Sequence, residues 1–123
     1  MKLHTSNIAG LNLFTAYGTD FVVVNQEKFS KNLIVLPESL HPEWTAASVA
    51  SLSEADMEIL TGLGTEIILL GTGSRLRFPS GALLRPFATA GIGLDVMDLP
   101  AACRTYNILA SEGRKVAAAL LFD

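Results

Sequence analysis

The sequence predicts a three-layer α/β domain with an added antiparallel β meander at its N-terminal end. Three observations carry this. Runs such as Ile67-Ile68-Leu69-Leu70 and Val116 to Phe122 are apolar with almost no polar alternation, as in strands buried on both faces. Segments with helical start and stop signals lie between such runs, and this alternation puts helices on both faces of a sheet. The first third instead alternates loosely between turn residues, as short antiparallel strands do.

Leu11 to Tyr17 sets Leu13, Thr15 and Tyr17 on one side and Phe14 and Ala16 on the other. Gly18-Thr19-Asp20 is a turn signal, and Phe21 to Val24 is a second strand. Asn25-Gln26-Glu27 turns the chain again, into a third strand around Leu33 to Leu36. Pro37 ends that strand, because proline cannot donate to a ladder. These three strands are expected to form the meander. Pro37 to Trp44 reads as irregular, with Trp44 as a plug over a sheet edge or face.

The pattern then changes. Ser53 can cap a helix, Asp56 stands at the capping-box position, and Leu52 can staple to Met57. Ile59, Leu60 and Leu63 continue its apolar face, and Gly62 and Gly64 offer a stop. Glu66 to Leu70 is a buried strand. A second helix is expected from Ser80 to Ala90, capped by Ser80, ended by Gly91 and disturbed by Pro86. Ile92 to Met97 is a strand, Leu99 to Glu112 a helix, and Val116 to Phe122 the last strand.

Length and composition narrow the function. A chain of 123 residues is the size of one domain, and half of its residues are hydrophobic, which excludes a disordered chain. The net charge of -3 gives no global attraction to nucleic acid or anionic membrane. The charge is uneven: residues 1–70 hold eight acidic side chains and three lysines, whereas residues 71–123 hold four acidic and six basic ones. All five arginines lie between Arg75 and Arg114, either as ordinary ion pairs or as an anion-facing surface. One cysteine forbids an internal disulfide, and one cysteine with two histidines argues against a metal site. Met1 to Asn7 has no apolar core of the signal-peptide kind, and no apolar run is long enough to span a bilayer. A soluble, cytoplasmic protein without membrane insertion is expected.

Candidate chemistry gathers in two places. Gly71-Thr72-Gly73-Ser74 follows a buried strand, where an open α/β sheet binds ligands and where glycines let backbone amides approach an anion. The Rossmann fingerprint fails, since Leu76 stands at its third glycine position, and no P-loop Gly-Lys-Ser/Thr follows. A tight turn with close backbone packing is the competing reading. Arg75 and Arg77 follow, either adding anion affinity or lying solvated.

The second place is the strand and helix from Ile92 to Arg114. Asp95 lies inside the apolar strand, where a buried carboxylate must be paired, with Arg104 or Arg114 as first partners, or protonated; a structural ion pair or a partly exposed position is the favoured reading over a catalytic acid. Asp98 suits a helix N-cap and Pro100 the first turn. Cys103 reads as a packed thiol beside Ala101 and Ala102, or as a nucleophile activated by the helix N-terminus and Arg104. Arg104-Thr105-Tyr106-Asn107 puts mediocre helix formers mid-helix, which points to residues kept for contacts. Tyr106 and Asn107 can hold a ligand or cap a loop.

Several of these motifs occur together in one known family. Gly71-Thr72-Gly73, Gly91 to Asp98, Ala101 to Leu109 and Glu112 to Leu120 resemble, in order, a small uncharacterised-domain family of Mth-type fold. Leu11 to Tyr17 and Trp44 resemble its proteobacterial branch. Its relatives include a mitochondrial assembly factor of respiratory complex I and bacterial single-domain proteins. The resemblance implies a mixed central sheet, helices on both sides and extra β structure. Its bacterial members have no agreed activity, so no catalytic residues carry over from it, and no cofactor is expected. Its strand carboxylate is commonly Glu, where Asp95 stands here.

Two functions follow. The first is a non-enzymatic interaction or assembly module with a protein partner, whose surface charge reversal at Arg75 or Arg77 disables. The second is a small-anion or metabolite site, or an enzyme, built on Gly71, Thr72, Gly73, Arg75 and the Asp98 helix start, with Arg104, Tyr106 and Asn107 nearby. Nucleic-acid binding is disfavoured, since no basic run interleaves with aromatics.

Overall fold

Short polar strands frame a central sheet whose inner strands are apolar on both faces. The structure, a computed structural model, describes residues 10–122. Met1 to Asn7, His4 among them, lies outside that range.

The N-terminal sheet is an antiparallel meander of β1 (Phe14–Tyr17), β2 (Val22–Val24) and β3 (Glu27–Phe29). Asn25 and Gln26 join β2 to β3 with φ of 47° and 81°. Two consecutive left-handed residues suit the right-handed twist of a two-residue hairpin. The Asn25 side chain secures the turn: its Oδ1 accepts from Leu13 N–H at 3.2 Å and its Nδ2 donates to Leu11 O at 3.0 Å.

The central sheet runs β5-β4-β8-β6-β7, with β4 at Leu33–Leu36, β5 at Ser39–His41, β6 at Ile67–Gly71, β7 at Gly93–Met97 and β8 at Val116–Leu120. Strands β6, β7 and β8 are parallel, while β4 and β5 add an antiparallel hairpin beside β8. The sheet is therefore mixed.

Two sequence expectations change here. Leu33 to Leu36 does not complete the meander but pairs with β8. Its four apolar residues need cover on both faces, which only an inner position provides. The meander's third strand is instead Glu-Lys-Phe, largely exposed. The segment expected to be irregular after Pro37 contains edge strand β5.

Helix α3 (Leu99–Ser111) covers one face of the sheet, and α1 (Glu54–Thr61) with α2 (Gly81–Ala90) covers the other. Strand periodicity sorts the core. Leu33, Val35, Leu69, Val116 and Ala118 meet Ala102, Cys103 and Tyr106 of α3. Ile34, Ile68, Leu70, Ala117 and Ala119 meet Met57, Leu60 and Phe87, with Trp44 closing that side. The three alanines of β8 are poor strand formers, but their small size at the centre of the sheet lets both helical layers approach.

The α1 start follows the sequence expectation. Ser53 Oγ accepts from Asp56 N–H at 3.2 Å, and Asp56 Oδ2 accepts from Ser53 N–H at 3.0 Å. Trp44 Nε1–H donates to Asp56 O at 3.2 Å, which ties the plug to the helix. Ser80 occupies the N-cap of α2, but its side chain makes no capping bond, contrary to expectation. Pro86 lies inside α2, and Gly91 ends it with φ of 73°.

Candidate functional site

The connections from β6 and β7 leave on opposite faces, to α2 and α3 respectively. Between such strands an open α/β sheet forms its ligand crevice, beyond their carboxyl ends. Here two backbone bonds stitch the two loops together. Thr72 N–H donates to Met97 O at 2.9 Å, and Leu99 N–H donates to Gly73 O at 2.8 Å.

The side chains at this end bond within the fold. Thr72 is buried, and its hydroxyl donates to Arg75 O at 2.8 Å and accepts from Arg77 N–H at 3.1 Å. Gly73 takes a φ of 86°, which suits glycine. Gly71 is set by space instead: a Cβ there would lie 2.9 Å from Leu120 Cδ2, 3.1 Å from Ala102 Cβ and 3.3 Å from Leu99 Cα. Asp98 caps α3, its Oδ1 accepting from Ala101 N–H at 2.9 Å, and Pro100 sits in the first turn. Arg75 is exposed beside this loop.

Tyr106 and Asn107 stand apart from Asp98 by about 12 Å of helix rise, and they face the meander. Tyr106 is fully buried, and its hydroxyl donates to Asn12 O at 2.8 Å. Its ring meets Phe14 edge to face at 5.2 Å. Asn107 binds both backbone groups of Phe14, accepting from its N–H at 2.9 Å and donating to its carbonyl at 2.8 Å. The carboxamide thus extends the backbone pairing of β1 onto a helix. Arg104, on the same helix, is exposed.

Asp95 is exposed, so of the alternatives the sequence left for this carboxylate the structure has the exposed position. Strand β7 is the sheet edge, where one side of the strand reaches water. A charged residue on an exposed edge also discourages pairing with another chain. Arg114 pairs with Glu66 instead, at 3.6 Å between exposed side chains.

Sequence reasoning missed two further asparagine clamps. Asn12 Nδ2 donates to Leu36 O at 3.0 Å, joining the meander to the central sheet. Asn32 Nδ2 donates to Ala46 O at 2.8 Å, and its Oδ1 accepts from Phe122 N–H at 2.7 Å. Asn32 lies next to the apolar strand β4, the one local signal available. A groove of about 450 Å³ lies at the opposite, amino-terminal ends of β6 and β8, lined by Leu11, Leu36, Leu63, Thr65 and Arg114 among others.

Cys103 is fully buried, and burial pushes its thiol up to about 12 against a smaller opposing pull from Arg104. The thiolate is the nucleophile, so this cysteine is held inert. Iodoacetamide at neutral pH is expected to leave the folded protein unmodified and to label Cys103 in urea, read by intact mass. Rapid labelling without denaturant would contradict the packed-thiol assignment.

Residues 14–121 match the family model described as a protein of unknown function, DUF498/DUF598. The chain belongs to this family. Among its relatives, the Bos taurus NADH dehydrogenase [ubiquinone] 1 alpha subcomplex assembly factor 3 is 32% identical over 108 residues, which cover 86% of this chain and 58% of the relative. The chain thus spans little more than half the length of that protein. The 13 kDa major membrane protein of Francisella tularensis is 26% identical, over 98% of this chain and 99% of its own. A crystal structure from Bordetella parapertussis superposes with a TM-score of 0.85 at 39% identity, covering 93% of this chain and 98% of that one. A Bordetella pertussis protein described as an Mth938-like domain gives 0.78 at 32% identity, covering 91% and 86%. These matches agree with the mixed sheet and flanking helices. Among the described residues, no helix is long and apolar enough to cross a membrane.

Proposed function

We propose that the chain is a non-enzymatic protein-interaction module of the assembly-factor type, acting in the cytoplasm. One observation carries this reading. The crevice where this topology receives a ligand is bridged by backbone bonds, and Thr72, Asp98, Tyr106 and Asn107 each serve the fold's own backbone. These polar side chains build a rigid scaffold, and a rigid scaffold suits recognition by its outer surface. The likeness to the Bos taurus assembly factor supports the same direction.

The test is affinity capture of the tagged chain at native expression, with co-purifying proteins and small molecules identified together. The expected result is one partner protein recovered in every replicate. Replicates that share no partner, or that share only a bound metabolite, would remove the basis for this reading.

A further inference from the structure

We propose that the loop from Ser74 to Ser80 is a docking tip for an anionic lipid surface. The net charge of -3 hides a local reversal: residues 67–94 contain three arginines and no Asp or Glu. Within that stretch, Phe78 is 66% exposed and Leu76 50% exposed. Arg75 is exposed between the β6 turn and Leu76, and Arg85 is exposed one turn into α2.

The loop projects its apolar groups by design of its backbone. Leu76 and Phe78 face outward, whereas Pro79 is buried and Arg77 half-buried, the alternation of an extended chain. Thr72 holds this arrangement from below, bonding Arg75 O and Arg77 N–H on either side of Leu76. The tip is therefore ordered before it meets anything, and docking costs little loop entropy.

A bilayer interface fits this tip better than a protein does. A stable protein–protein contact buries about 1,600 Å² in total, far more than two protruding side chains supply. An interface of headgroups and acyl chains accepts a small apolar wedge directly. Arginine stems lie along the apolar boundary while the guanidinium stays among the headgroups. Among the described residues neither Arg75 nor Arg85 stands in an ion pair, and these two exposed guanidinium groups favour anionic lipid. Surface docking of this kind needs no spanning helix, and it does not depend on a protein partner.

Co-sedimentation of the full chain tests the proposal. Vesicles of phosphatidylcholine alone are compared with vesicles containing phosphatidylglycerol, at low and high salt. The expected result is binding to the anionic vesicles that weakens with salt. Arg75→Gln is expected to weaken partition about fivefold, and Phe78→Ser roughly tenfold. Both positions are exposed, and far-ultraviolet circular dichroism checks that each variant folds. Ile108→Ser removes an exposed apolar side chain from the last turn of α3, at the far end of that helix from its Asp98 cap, and is expected to bind like the parent. Equal binding to both vesicle types, or a Phe78→Ser variant that binds like the parent, overturns the proposal and leaves the tip to a protein contact. A loss in Ile108→Ser as large as that in Phe78→Ser also overturns it.

Discussion

Tyr106→Ala is expected to lower the unfolding free energy by about 3–5 kcal/mol, the range for truncating a large buried aromatic. The ring is fully buried in the cluster under α3, packs edge to face on Phe14, and carries a hydroxyl bonded to Asn12 O. Truncation leaves a cavity between two sheets and an unpaired carbonyl. Tyr106→Phe keeps the ring and separates the two effects, with an expected cost of about 1–3 kcal/mol for the orphaned acceptor. Urea unfolding of both variants gives the magnitudes. Hydrogen exchange locates them: amides of β2 should lose more protection than those of β6, because the tether holds the meander. Burial also pushes the phenol pKa up. A group raised in the folded state contributes stability that is fully present below its unfolded value, about 10. That contribution is lost as pH rises through the folded value. The variants should thus converge on the parent only at strongly alkaline pH. A Tyr106→Ala protein within about 1 kcal/mol of the parent would show that the meander does not hang on this residue.

The elements easiest to read were those whose signals are local. The Ser53–Asp56 box is a four-residue pattern, and the structure contains both of its bonds. Strands β6 and β8 are continuous apolar runs, and they occupy inner positions. The misread elements depend on distant partners. Nothing near Leu33 to Leu36 reveals that its neighbour is Ala118 to Leu120. Strands β3 and β5 are three residues each and partly polar, so their existence rests on pairing, not on pattern. The same division applies to the candidate site. Tyr106 and Asn107 stood out as poor helix formers mid-helix, and they do make contacts across more than 90 residues of sequence. Spacing along the helix says nothing of what lies opposite, so a ligand and a β strand look alike from the sequence. For Asp95 the sequence leaves a buried, paired carboxylate and an exposed one both open, for a related reason. An apolar strand reads as buried, but its position at the sheet edge is a property of the strand order.

Gly71→Val is expected to cost more than about 3 kcal/mol, because overpacking a filled site by several atoms exceeds the usual range for one methyl. The glycine has no left-handed φ to excuse it; its requirement is space alone. Three neighbours surround the missing Cβ, and they differ in what they can yield. Leu120 Cδ2 is the end of a flexible side chain and can turn away. Ala102 Cβ and Leu99 Cα belong to α3, which Leu99 N–H ties to Gly73 O and Asp98 caps. Helix α3 must therefore retreat from the sheet as a body. Gly71→Ala should cost about 1–3 kcal/mol by the same logic. Adding Ala102→Gly removes one of the two rigid obstacles, so the pair should couple favourably by about 0.5–3 kcal/mol in a double-mutant cycle, despite the helix cost of the new glycine. Thermal or urea unfolding measures all four proteins. This cycle decides between the two readings of the glycine loop. A glycine kept for close packing gives a stability loss with positive coupling to Ala102. A glycine kept so that backbone can approach an anion leaves Gly71→Ala as stable as the parent, and that result would return the loop to the ligand-binding reading.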